Sequence, residues 1–231
     1  MYLPYIEDAK LIKETASILD KIEMVSGIAG KGLYSNVIDP FSAFFDAATQ
    51  GISLKDWLKQ ENARQIQKTM QNCIGDFHQC VLGSMKGWEN LGRGQIVDVE
   101  NKKRKIVAEI KNKYNTTKGN HKIEIYDDLE SVLSMRNKGW ISYYVEIIPQ
   151  NKKTYDKPFV PSDHKNKARR PVNERIRVID GKTFYSLASG DKNALKNLYL
   201  ILPKVIKDIK GIALSDKFKS DFLELFHKAF D

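Results

Sequence analysis

Asp98, Glu109 and Lys111 stand within the stretch QIVDVENKKRKIVAEIKNKYNTTKGNHK, residues 95–122 of a 231-residue chain. Two carboxylates a few ångströms apart repel each other and raise each other's pKa, and a hard divalent cation removes the conflict. Mg2+ takes oxygen ligands, often one or two carboxylates completed by water and substrate phosphate. Such an ion can lower the pKa of a bound water and stabilise charge on a phosphodiester. Lys111 can hold the attacking water or a phosphate oxygen. On this reading Asp98, Glu109 and Lys111 are catalytic, and Asp98 and Glu109 hold Mg2+. On spacing alone a surface hairpin with a cross-strand Asp–Lys pair is the favoured reading, because D…ExK arises by chance in many basic proteins.

The chemistry requires elements that bring positions 98 and 109–111 together. Ile96, Asp98 and Glu100 alternate with Val97 and Val99, the period of a strand, and KIVAEIKNK reads as its return after the turn NKKR. Residues two apart in a strand share a face, so Glu109 and Lys111 point one way and Ile110 turns into the core. A short strand at Trp88–Leu91 is expected before this hairpin. After it come a helix over 121–138, stopped by Gly139, and a strand WISYYVEII closed by Pro149. Upstream, 6–25 reads as an amphipathic helix. Asp39-Pro40 opens a second helix to Thr49. Ser53 and Asp56 form a capping box for a third that ends at Gly83, with the polar KQENARQ expected to interrupt it. Downstream, 150–173 has no apolar period and three prolines, and reads as a long loop. RIRVIDGKTFYSL reads as a second hairpin turning at Asp180-Gly181. Helices over 191–209 and 215–230 finish the chain, the last with Phe218, Phe222, Phe226 and Phe230 on one stripe, as core or a dimer contact. The fold class expected is α/β, a mixed central sheet flanked by helices. One domain spans 1–231: a helical part to about 83, a catalytic sheet core to about 150, a recognition loop and hairpin over 151–190, and C-terminal helices beyond.

Charge points to the partner. The chain has 38 Lys and Arg against 29 Asp and Glu, a net charge of +9, and the excess is clustered. Residues 102–122 hold eight cations against Glu109 alone, and 151–177 hold nine against Asp156, Asp163 and Glu174. Two basic clusters suit a polyanion, nucleic acid first, the alternative being solvated loops. Lys113, Asn115, Thr116, Lys118, Asn120 and Lys122 gather at a helix start that can hold phosphates, or simply caps the turn. In the second cluster Lys165 and Lys167, with Lys152, Lys153 and Lys157, suit phosphates. Arg169, Arg170, Arg175 and Arg177 carry the forked donors that match guanine O6 and N7. No apolar run is long enough to span a bilayer, and the first residues show no secretory pattern, so a cytoplasmic protein is expected. Cys73 and Cys80, seven apart in a helical pattern, are too distant for a disulfide. With His78 they match no tetrahedral zinc spacing. LGRG precedes a strand, not a helix, and is no dinucleotide fingerprint.

A helix, three strands, a helix and a strand, carrying Asp98, Glu109 and Lys111, resemble the PD-(D/E)xK nuclease core, with Val97 where that motif has proline. More narrowly, QNCIGDFHQ, GW, VDVEN and AEIKNKYNTTKGN together resemble a family of type II restriction endonucleases that recognise GGNCC, over about residues 65–130. The resemblance implies Mg2+-dependent cleavage of double-stranded DNA by a homodimer at a short palindromic site, with Asp98, Glu109 and Lys111 catalytic. It also implies a cognate DNA methyltransferase that protects the host genome. It places Gln71, Asn72, Gly75, His78 and Gln79, which otherwise read as a solvated helix face, beside the active site or on the DNA backbone. Separately, Glu61 or Asp76 can supply a further metal ligand. The rivals are a repair or junction nuclease on the same core, separated by sequence-specific cutting, and a non-catalytic nucleic-acid-binding protein, separated by metal dependence.

Overall fold

Capping residues set the helices of the first third. In the computed structural model, which describes residues 1–27, 37–92, 94–163 and 168–231, α1 covers Asp8–Gly27, α2 Pro40–Gln50 and α3 Leu54–Gly83. Asp39 accepts from Phe41 N (2.9 Å) ahead of Pro40, as the Asp-Pro signal predicts. Ser53 Oγ accepts from Asp56 N at 3.2 Å. KQENARQ does not break α3. Its residues favour helix, and Glu61 binds Arg64 and Gln65 on the next turn at 2.6 and 2.9 Å. The described residues form two compact units, one of 16–74 and one of Met1–Thr15 with Gly75–Asp231.

The larger unit is built on one mixed sheet. Its strands are β1 Glu89–Asn90, β2 Val99–Asn101, β3 Ile106–Lys113, β4 Ile141–Ile148, β5 Asp156–Pro158 and β8 Ile176–Asp180, in the order β1-β2-β3-β4-β8-β5. β6 Ser162–Asp163 and β7 Ala168–Arg169 form a separate two-stranded ladder. The centre, β3-β4-β8, is parallel, and the edges are antiparallel. The expected hairpin is the β2–β3 pair, with Val99 opposite Ala108. α4, Gly119–Ser134, makes the crossover from β3 to β4. It buries Ile125, Tyr126, Leu129, Val132 and Leu133 against Val107, Tyr144, Ile176 and Val178. At about 1.5–3 kcal/mol per large apolar side chain, that stripe is the main force holding α4 to the sheet.

Two further expectations fail. Residues 150–173 are not wholly irregular, because β5 adds an edge strand to β8, with Pro158 at the border where a missing N–H does no harm. Asp180-Gly181 is not a hairpin turn. Asp180 caps α5, Gly181–Ser189, accepting from Thr183 N (3.1 Å), and Phe184, Tyr185 and Ala188 then bury at helical spacing. Gly181 is there for space, since a Cβ would lie 2.3 Å from the backbone oxygen of Ile147. α6, Ala194–Lys210, and α7, Asp216–Phe230, follow. The phenylalanine stripe of α7 splits. Phe226 and Phe230 are buried, whereas Phe218 and Phe222 are 41% and 45% exposed. No helix among the described residues is long and apolar enough to cross a membrane.

Candidate active site

Asp98 sits where β2 leaves the ladder. Its N–H still donates to Ala108 O (3.0 Å), and its carboxylate Oδ2 takes the next donor, Ile110 N, at 2.6 Å. The side chain thus replaces a strand backbone and is fixed against β3. Glu109 and Lys111 project from one face of β3, and Lys111 Nζ donates to Glu109 Oε1 at 2.5 Å. The hairpin therefore brings the two predicted acids and the lysine together at the C-terminal edge of β3, where the β2–β3 ladder stops. Burial pushes the Asp98 carboxyl up to about 7 from 3.8, helped by the Glu109 charge. The Ile110 amide and Lys111 pull it back only partly. Among the described residues no cluster of three or more His, Cys, Asp or Glu side chains surrounds a common point.

A second polar cluster adjoins this edge. In the β3–β4 ladder Lys111 is paired with Glu146 and Glu109 with Tyr144, so all four share a face. Glu146 is only 5% exposed. Its Oε1 accepts from Lys122 Nζ of α4 (2.8 Å) and its Oε2 from Tyr155 Oη (2.5 Å). Tyr144 Oη donates to Thr117 Oγ1 (3.1 Å), and Lys122 Nζ lies 5.5 Å from the Tyr144 ring centre. The sequence contained one signal for Glu146, a carboxylate inside the apolar strand WISYYVEII, the same signal that drew attention to Glu109. The partners Tyr144 and Tyr155 had none.

The basic residues divide by their partners. Asn115, Thr116, Lys118 and Asn120 are exposed around the start of α4, and no side chain caps that helix at Lys118. Lys113 is half-buried at the end of β3. Lys122 is spoken for by Glu146. Arg170 binds Asp127 (2.6 Å), and Arg177 binds Asp156 (2.6 Å) and Glu174 (3.2 Å). Arg169 and Arg175 are exposed, and their side chains meet no partner among the described residues. Lys165 and Lys167 lie outside the described residues. On α3, Glu61 is engaged by Arg64 and belongs to the smaller unit with Gln71 and Asn72. His78 Nδ1 lies 2.8 Å from Tyr185 Oη, and burial pushes the imidazole down to about 4, so it stays neutral, half-buried against Tyr185. Cys73 and Cys80 form no disulfide, as their spacing predicts.

A family model described as Eco47II restriction endonuclease matches residues 3–210. The type II restriction enzyme Eco47II of Escherichia coli is 39% identical over 238 positions, which cover 99% of this chain and 98% of that enzyme. The type II restriction enzyme Sau96I of Staphylococcus aureus is 30% identical over 211 positions, 90% of this chain and 80% of that enzyme. No solved structure matches the chain. A family match over most of the chain, with two restriction enzymes aligned along nearly all of it, makes this protein a member of the Eco47II restriction endonuclease family, a type II site-specific deoxyribonuclease.

Proposed function

We propose that the chain works as a single nuclease domain that cuts both strands of DNA at a short palindromic site of the GGNCC type, with Asp98 and Glu109 holding Mg2+. The observation that carries this reading is the carboxyl pair. Asp98, held by the Ile110 amide, faces Glu109 at the end of the β2–β3 ladder, and the Asp98 carboxyl is held up to about 7 by burial and by the Glu109 charge. Such a pair suits a hard dication that takes oxygen ligands. When bound, the ion lowers the pKa of water and stabilises charge on the phosphodiester. The backbone amide of Ile110 fixes the orientation of Asp98. Lys111 shares the face of Glu109 and presents its ammonium at the same edge, where it can hold a phosphate oxygen. Lys113, Asn115, Thr116, Lys118 and Asn120 bind the phosphates that set register. Arg169 and Arg175, whose guanidinium groups no described residue engages, read guanine edges, and Arg170 and Arg177 brace the segment that presents them.

A palindrome is read by a two-fold assembly, so the active form is a homodimer, and the exposed part of the α7 stripe at Phe218 and Phe222 suits its interface. Scattering that gave a monomer on cognate duplex would contradict this. The enzyme acts in the cytoplasm beside a methyltransferase that protects the genome. The test is digestion of plasmid with Mg2+, followed by sequencing of the ends. One recurring palindromic site supports the reading. Scattered ends, or equal cutting in EDTA, refute it.

A further inference from the structure

Glu146 lies outside the carboxyl pair, yet it is buried beside it and both its oxygens are held. Tyr155, which donates to Oε2, opens the basic segment 156–177 and is fixed at both ends. Its N–H donates to Asp180 Oδ2 (2.7 Å), its carbonyl accepts from Asp180 N (3.1 Å), and its hydroxyl reaches Glu146 on β4 (2.5 Å). Lys122, which donates to Oε1, belongs to the first turn of α4, next to Lys118 and Asn120. Glu146 itself is paired in register with Lys111, and Lys122 stands over Tyr144, the register partner of Glu109. One buried carboxylate therefore joins the base of the arginine-bearing segment, the start of α4 and the strand next to the catalytic one. A buried carboxylate that loses a partner is left underpaired at high cost, so its two hydrogen bonds tie these three elements to one another.

We propose that Glu146, gripped by Tyr155 and Lys122, is a positioning residue that couples engagement of the 156–177 segment on the correct DNA site to the alignment of Glu109 and Lys111. This rests on the reading that the segment recognises the site. The bland alternative is a buried ion pair that merely fastens α4 to the sheet. The two differ in what they do to discrimination. A fastener affects every substrate alike, whereas a coupler matters only where the segment is properly engaged.

The test uses the full chain, a duplex with the cleaved site and a duplex with one base pair of that site changed. Tyr155→Phe keeps the ring and removes only the hydroxyl. The single-turnover cleavage rate at saturating enzyme is expected to fall about tenfold on the correct site, the loss typical of one hydrogen bond to a charged group. On the changed duplex the rate should fall far less, so discrimination narrows, while Kd measured with Ca2+ stays within about twofold, since no DNA contact is removed. Glu146→Gln should act alike, and the double variant should be no slower than the slower single, because both break one link. An unchanged rate in Tyr155→Phe, equal losses on both duplexes, a change confined to Kd, or losses that multiply in the double variant would overturn the coupling. Arg169→Ala and Arg175→Ala test the underlying reading separately. Wild-type Kd and rate in both would remove the segment's reader role, whatever Tyr155→Phe does.

Discussion

Asp98→Asn should stabilise the metal-free protein at pH 8, although it destroys the site. In the fold the Asp98 carboxyl titrates at about 7 instead of 3.8, because it is half-buried and faces Glu109. For an acid with a raised folded pKa, the sign runs against stability. Below about pH 4 both folded and unfolded chains hold the proton, and Asp98 contributes nothing. Between about 4 and 7 the fold keeps a proton that the unfolded chain has lost, so stability falls as pH rises, and above 7 the full penalty is present. Each pKa unit corresponds to about 1.4 kcal/mol, which bounds the penalty at about 4 kcal/mol. Screening at a half-buried site brings it to about 1–2 kcal/mol. Asparagine keeps an oxygen for Ile110 N and can donate its amide to Glu109. For a chain of this length the variant should melt about 2–8 °C higher than wild type in EDTA at pH 8. The gap should close toward pH 4. Millimolar Mg2+ should reverse it, because the ion stabilises only the protein that binds it. The assay is thermal unfolding by circular dichroism at several pH values, with and without the ion. An asparagine variant less stable than wild type at pH 8 in EDTA, or a gap independent of pH, would refute the reasoning.

The same carboxyl makes cleavage at limiting Mg2+ fall as pH drops through about 7, because protons then compete for Asp98, and raising Mg2+ should move the midpoint to lower pH; a flat profile from pH 6 to 8 would count against this. Arg169→Ala and Arg175→Ala should each cost about 1–3 kcal/mol in binding the cognate duplex and little on a scrambled one. Arg170→Ala and Arg177→Ala should instead lower the melting temperature, since each removes a carboxylate partner, and titrations on both duplexes with matched melts separate the two groups. Gly181→Ala should destabilise the fold by about 1–3 kcal/mol or more, because its methyl would meet the Ile147 carbonyl, and an unaltered denaturation midpoint would contradict the packing.

What could be read from the sequence was local. The β2–β3 hairpin rests on period-two alternation and one short turn, so Asp98, Glu109 and Lys111 could be brought together from spacing alone. The Asp39-Pro40 and Ser53–Asp56 caps worked for the same reason. Asp180-Gly181 misled because Asp-Gly serves both a tight hairpin and a helix start, and the choice was made by distant contacts: Tyr155 on Asp180, and Ile147 against Gly181. β5 escaped notice because a three-residue edge strand with a proline carries almost no pattern. The Glu146 cluster draws on β4, α4 and the segment after β4. No spacing rule links residues 122, 146 and 155, which only the parallel register assembles. The arginines read alike in sequence, and only the carboxylates at 127, 156 and 174 separate the braced from the free.

The most direct measurement is single-turnover cleavage of a duplex carrying the mapped site, in Mg2+, by Glu109→Gln beside wild type. Glutamine keeps the shape but removes the charge that pairs with Lys111 and faces Asp98. Removing a group that acts on the transition state costs about 100- to 1,000-fold or more. The cleavage rate should fall by at least that much, while Kd on the same duplex in Ca2+ stays near wild type because the basic contacts remain. Wild-type turnover by Glu109→Gln would contradict the assignment of the Asp98–Glu109–Lys111 edge as the site of DNA cleavage.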